Sequence, residues 1–143
     1  MRVYIPANAS DLAIQASGQW EPEHAFAVTE ALTAAYPDLD EEELAELAID
    51  YAAEASALVS RSRLRCVIAA DFSRADVTLD PVSGPAGVRV AGKLAPDAVA
   101  CVFMDEEDAA ADVAAAQAGD EQALERLEER TLLWYELGEL SEG

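Results

Sequence analysis

The chain has 143 residues, 52% hydrophobic and only 6% aromatic, with 29 acids against 9 Lys and Arg for a formal net charge of −20. That length suits a single domain, residues 1–143, whose core needs neither disulfide nor metal, and the apolar share is too high for a disordered acidic tail. The charge argues against direct binding to nucleic-acid phosphates or an anionic membrane, and no stretch reaches the roughly 18 apolar residues of a membrane span.

The first expected element is a strand over "RVYIP" (2–6), closed by Pro6. "NASDLAIQASG" follows as a short helix with Asn8 or Ser10 as cap and Gly18 as stop. "HAFAVT" (24–29) reads as a second strand and "TEALTAAYP" as a short helix ended by Pro37. The clearest periodicity lies in 38–60, where Leu44, Leu47, Ala48, Tyr51, Ala55, Leu58 and Val59 recur at helical spacing. Glu43, Glu46, Asp50 and Glu54 line the opposite face, and Asp40 with Glu43 has the spacing of a capping box. "LRCVIAADF" (64–72) and "AVACVFM" (98–104) are apolar on both alternating faces, as central strands are. Between them, "DPVSGPAG" (80–87) is turn chemistry and "VRVAGKL" (88–94) a one-sided strand. The remainder reads as a helical pair: an Ala-rich helix over 105–119 stopped by Gly119, then an amphipathic one over 120–140 with Leu124, Leu127, Thr131, Trp134 and Tyr135 on one stripe. The sum is an α+β domain: one mixed sheet of about four or five strands, packed by about four helices.

The acid is unevenly spread. Residues 38–60 carry eight acids and no base, 105–143 thirteen acids and two bases, and 61–104 four acids and six bases. The helical blocks 38–60 and 105–140 therefore hold most of it, and Glu43, Glu46, Asp50 and Glu54 are the expected docking face for a basic protein partner. The opening "MRVYIPANASD" lacks the apolar region of a signal peptide. Cys66 and Cys101 both lie in apolar runs, which suits reduced, buried thiols in a cytoplasmic protein.

The sharpest local feature is "FMDEEDAAADV" (103–113). Asp105 stands where an N-cap would, and acids are favoured in the first turn behind it. Four consecutive helical residues point about 100° apart and cannot all face one ion, so neither metal nor cofactor is expected there. Asp71 and Asp105 each end an expected central strand, where ligands of α/β sheets collect. With Arg65 they form the alternative site of a small enzyme or ligand-binding protein. Nucleophilic chemistry has little to draw on: His24 is the only histidine and no motif surrounds it. Two cysteines and one histidine fall short of a four-ligand zinc site, and the phosphate-cradling motifs GxGxxG and GxxxxGK[ST] are absent. "RSRLR" (61–65) is the one basic cluster; it reads as cations at a helix C-terminus or as internal partners of the acidic helices, with a phosphate or acidic-partner contact as the alternative. Trp134 and Tyr135 read as the core edge of their helix, with a partner anchor as the alternative.

"RVYIPA", "AFAVTEAL", "DEEEL", "VIAAD", "VFMDEEDA" and "LLWYELGEL", in this order and spacing, resemble a family of small, uncharacterised actinobacterial proteins known as a domain of unknown function. The likeness runs from Met1 to about Leu140. It implies a cytoplasmic actinobacterial protein and brings no activity, cofactor or catalytic residue with it. Together these features favour a non-enzymatic acidic protein acting through protein–protein contacts. The alternatives are the strand-end site and an acidic mimic of nucleic acid that occupies a basic protein.

Overall fold

A computed structural model describes residues 1–136. Helix starts are written in short polar side chains. Asn8, Thr29, Asp40 and Asp120 precede α1 (Ala9–Ala16), α2 (Glu30–Ala35), α3 (Glu41–Leu58) and α5 (Glu121–Glu128), and each side chain accepts a bond from a first-turn N–H. Asn8 with Asp11, and Asp40 with Glu43, complete reciprocal capping boxes. The helix between them, α4 (Ala110–Gln117), has no side-chain cap and is entered through a 3₁₀ turn at Glu107–Ala109. Gly18 and Gly119, at φ 76° and 102°, take the left-handed conformation that lets the chain leave α1 and α4.

Among the described residues seven strands form one sheet in the order β4-β5-β2-β1-β3-β6-β7. They are β1 (Arg2–Ala7), β2 (His24–Phe26), β3 (Cys66–Asp71), β4 (Val77–Leu79), β5 (Gly87–Val90), β6 (Val99–Met104) and β7 (Leu133–Tyr135). Every pairing is antiparallel. The expected mixed sheet of four or five strands is thus corrected; the expected helical pair forms as α4 and α5, but its second helix is shorter and a strand follows it. The two added edge strands have three residues each, too few to show alternation. In the second acidic block, helix α5 stops at Glu128, and "LWY" instead pairs with the open edge of β6 in the register Phe103 to Trp134. Residues 137–140 of the expected helix lie outside those described. Strand β2 also ends early, at Phe26, because Thr29 is spent as a cap, whereas β1 runs through Pro6 to Ala7.

Alternation sorts the sheet into two faces. Val3, Ile5, Ala7, Cys66, Ile68 and Ala70 point to one, against Trp20, Leu94 and the Leu12 side of α1. Tyr4, Val67, Ala69 and Cys101 point to the other, against Leu32 of α2 and Leu44, Ala48 and Ala52 of α3. Strand β3 is buried on both faces, as its apolar run suggests. The free thiols of Cys66 and Cys101 are buried in different clusters on opposite faces.

The stripe that α3 buries differs from the expected one. It is Leu44, Ala48, Ala52, Ala53, Ser56 and Ala57; Leu58 and Val59 are exposed, Val59 at 76%. Small side chains let α3 lie close on the sheet, and Ser56 fixes it by donating to the Ala7 carbonyl at 2.6 Å and accepting from the Cys66 N–H at 2.9 Å. This rotation moves Leu47 and Tyr51 to the flank of α3. A third apolar cluster, including Ala57, Val113, Ala116, Ala123 and Leu127, docks the α4–α5 hairpin beside the end of α3. A trough is left between α3 and α5. No helix among the described residues is long and apolar enough to cross a membrane.

Candidate functional site: the trough between α3 and α5

Arg65 immediately precedes β3 and Asp105 immediately follows β6. Because those strands are antiparallel neighbours, the two residues meet. The Asp105 N–H donates to the Arg65 carbonyl at 3.1 Å, and the Arg65 N–H donates to Asp105 Oδ2 at 2.9 Å. Arg65 Nε reaches Oδ2 at 2.8 Å and Nη2 reaches Oδ1 at 2.7 Å, a bidentate fork. The side chains are 8% and 1% exposed. A carboxylate at that depth is tolerable because three N–H groups and a positive charge meet it. Asp105 is therefore not the N-cap of a helix: register hands its carboxylate to Arg65, and α4 begins only at Ala110.

Arg65 Nη1 has no hydrogen-bond partner among the described residues, and Arg65 lines the trough. The trough comprises two clefts, about 280 and 370 Å³, which share Asp50, Arg65 and Glu128. One is floored by Leu47, Tyr51, Leu124 and Leu127 with Glu54 beside them. The other is bordered by Glu46, Ile49, Phe103 and Leu132. Three members of the acidic stripe, Glu46, Asp50 and Glu54, thus face α5 across a lined cleft instead of standing on a bare outer surface. Glu43 sits apart, its carboxylate turned back to the Asp40 N–H. Part of Asp50 remains in water, yet the trough walls withdraw enough of it to push the carboxyl pKa up. Arg65 opposes that rise, and Glu46 and Glu128 add to it.

The strand-end constellation of Asp71, Asp105 and Arg65 is not assembled. Arg65 and Asp105 touch, whereas Asp71 lies at the opposite end of β3, where it faces Arg2. Arg2 Nε and Nη2 bind its carboxylate at 2.9 and 3.2 Å. That guanidinium holds the Asp71 carboxyl below the ordinary range. The rest of "RSRLR" is also engaged internally: Arg61 donates to the Gln117 carbonyl and Arg63 pairs with Glu107. Arg126 and Arg130 bind Asp112, and Arg130 also binds Asp108, which ties the α4–α5 hairpin together.

His24 Nδ1 is 3.8 Å from Asp80 Oδ2, and Ser83 Oγ donates to the same carboxylate at 3.0 Å. The serine meets the acid and not the imidazole, so these three form no nucleophile–base pair. Among the described residues no three His, Cys, Asp or Glu side chains converge as metal ligands do. Trp134 is 54% exposed on edge strand β7, which corrects its placement at the core edge of a helix.

Of the residues expected from the sequence, Glu46, Asp50, Glu54 and Arg65 line the trough. Tyr51, Leu47 and Glu128 join them unexpectedly, because their grouping depends on how α5 docks against α3 and no local spacing encodes that. Chemically, the trough offers one guanidinium donor, several carboxylate acceptors and an apolar floor. It suits binding of a cation with apolar surface more than any bond-making step. Searches of curated proteins and of solved structures return no significant match. A family model described as a family of unknown function (DUF6912) matches residues 1–142, and the chain belongs to that family.

Proposed function

We propose that the protein is a non-enzymatic docking protein that takes up a basic segment of a partner protein in the α3–α5 trough. The observation that carries this reading is the placement of Glu46, Asp50 and Glu54 opposite Glu128 around the apolar side chains Leu47, Tyr51 and Leu124. Carboxylates speed association and set specificity, while the desolvated floor slows release. The apolar floor favours a peptide over mimicry of nucleic acid, which needs carboxylates spaced along a ridge. The setting we propose is the cytoplasm of an actinobacterium, which agrees with two free, buried thiols and with the family resemblance.

The test is affinity purification from the native host with the wild-type chain and an Asp50→Lys/Glu54→Lys/Glu128→Lys variant side by side. The expected result is a protein with a Lys- or Arg-rich segment that elutes with salt from the wild type and is lost from the variant. Recovery of the same proteins at the same salt on both would overturn the reading.

A further inference from the structure

We infer that Arg65 reads the main chain of the docked segment: its free Nη1 donates to a peptide carbonyl while a Lys or Arg side chain of the same segment lies between Asp50 and Glu128. This rests on the docking reading above and names what the trough recognises.

A guanidinium has five N–H donors in a rigid fork. Asp105 engages Nε and Nη2, and among the described residues nothing engages Nη1. Only 8% of the side chain is exposed, and Nη1 does not count among the buried unpartnered atoms, so the exposure that remains opens this donor to the trough. Asp50 lines the same cleft, but the ion pair of Arg65 is with Asp105 and not with Asp50. Nη1 is therefore a donor that an incoming acceptor can reach by displacing water.

Local charge decides what kind of acceptor. Asp105 already neutralises Arg65, and Asp50, Glu54 and Glu128 surround the opening. An incoming carboxylate or phosphate would meet a net negative site. A neutral carbonyl would not, provided a cation arrives with it to face Asp50 and Glu128. A peptide with a basic residue carries both groups in one short stretch. An aliphatic or aromatic neighbour would fill the floor at Leu47, Tyr51, Leu124 and Leu127. This excludes free anions and phosphopeptides as preferred occupants.

The experiment is selection of phage-displayed random peptides on the immobilised full chain, then fluorescence titration of a leading peptide. Peptides rich in Lys or Arg beside an apolar residue are expected, with about tenfold weaker binding to Asp50→Asn and to Glu128→Gln, and unchanged binding to the control Glu42→Gln. Arg65→Lys can fail to fold, so the Arg65 contact is tested on the wild-type chain by replacing peptide bonds of the ligand one at a time with alkene isosteres. One position is expected to lose about tenfold, the rest little. If Asp50→Asn and Glu128→Gln weaken binding but no isostere does, the Arg65 inference is overturned and the docking reading stands. If selection yields no binder, acidic or phosphate-like binders, or peptides indifferent to Asp50 and Glu128, both are overturned.

Discussion

The molecule builds the same Arg–Asp fork at both ends of β3. Arg65 and Asp105 meet at 2.7 and 2.8 Å with side chains 8% and 1% exposed. Arg2 and Asp71 meet at 2.9 and 3.2 Å with side chains 46% and 56% exposed. Residue types and fork geometry are nearly equal, so burial, together with the added Arg65 N–H bond to Asp105 Oδ2, sets the two apart. In water the pair competes with hydration and is screened by salt. Under α3, neither ion can recover its hydration if the other is removed. The buried copy can therefore hold a donor toward the trough in fixed geometry, while the exposed copy only closes the end of a strand pair.

The largest expected effect is at the buried end. Asp105→Asn leaves Arg65 desolvated and uncompensated and is expected to cost about 3–5 kcal/mol. Urea melts with a shared slope check this, and a loss under about 1 kcal/mol would mean that water reaches the pair freely.

Next in size is an alkaline effect at the neighbouring residue. Burial pushes the Cys66 thiol up to about 12 from an ordinary 9.0. A raised folded-state pKa means the native protein keeps a proton that the unfolded chain releases. Stability from this source is complete below pH 9.0 and is lost as pH rises toward about 12. At pH 10, one unit above the ordinary value, the loss is ~1.4 kcal/mol, and Cys66→Ala is expected to remove that slope from pH-dependent melts. An unchanged slope would show that the thiol is hydrated.

Asp71→Asn comes third, at about 0.2–1 kcal/mol, shrinking further in molar salt. Its depressed pKa gives the acid-side sign: the stabilisation is present above the unfolded carboxyl value and is lost as pH falls through the folded one. Equal costs for Asp71→Asn and Asp105→Asn would break the comparison outright. The smallest effect has the opposite direction. Because burial raises the Asp50 carboxyl, its charge disfavours the fold at neutral pH, and that penalty is absent at acid pH once the group is protonated. Asp50→Asn is expected to stabilise at pH 7 by about 0.5 kcal/mol or less, and the gain should vanish at low pH. A loss of stability at pH 7 would mean that Asp50 is held as a structural ion pair.

Much of the fold is legible in the sequence where information is local. The caps at Asn8 and Asp40 and the two-faced apolar run of β3 all act within a few residues. The errors lie where distant segments compete. "LLWY" can continue an amphipathic helix, but the free edge of β6 offers it ladder bonds, and Trp134 ends up exposed. The Leu47 and Tyr51 positions have helical spacing with Leu44, yet Ala52 and Ala53 allow a closer approach to the sheet and turn α3 onto them. Asp105 has the local signature of an N-cap and is taken by Arg65, forty residues away. At the site, the acidic stripe was readable from α3 alone, and the cleft that Glu128 and Leu124 complete was not.

The most direct test of the account is nitrogen and carboxyl-carbon NMR of the wild-type chain titrated with a Lys-containing peptide from the selection. The account predicts that the Arg65 Nη1 and Asp50 carboxyl signals shift together and saturate at one peptide concentration, while Arg2 and Asp71 stay where they are. Saturation of the peptide with Arg65 and Asp50 unmoved would contradict it.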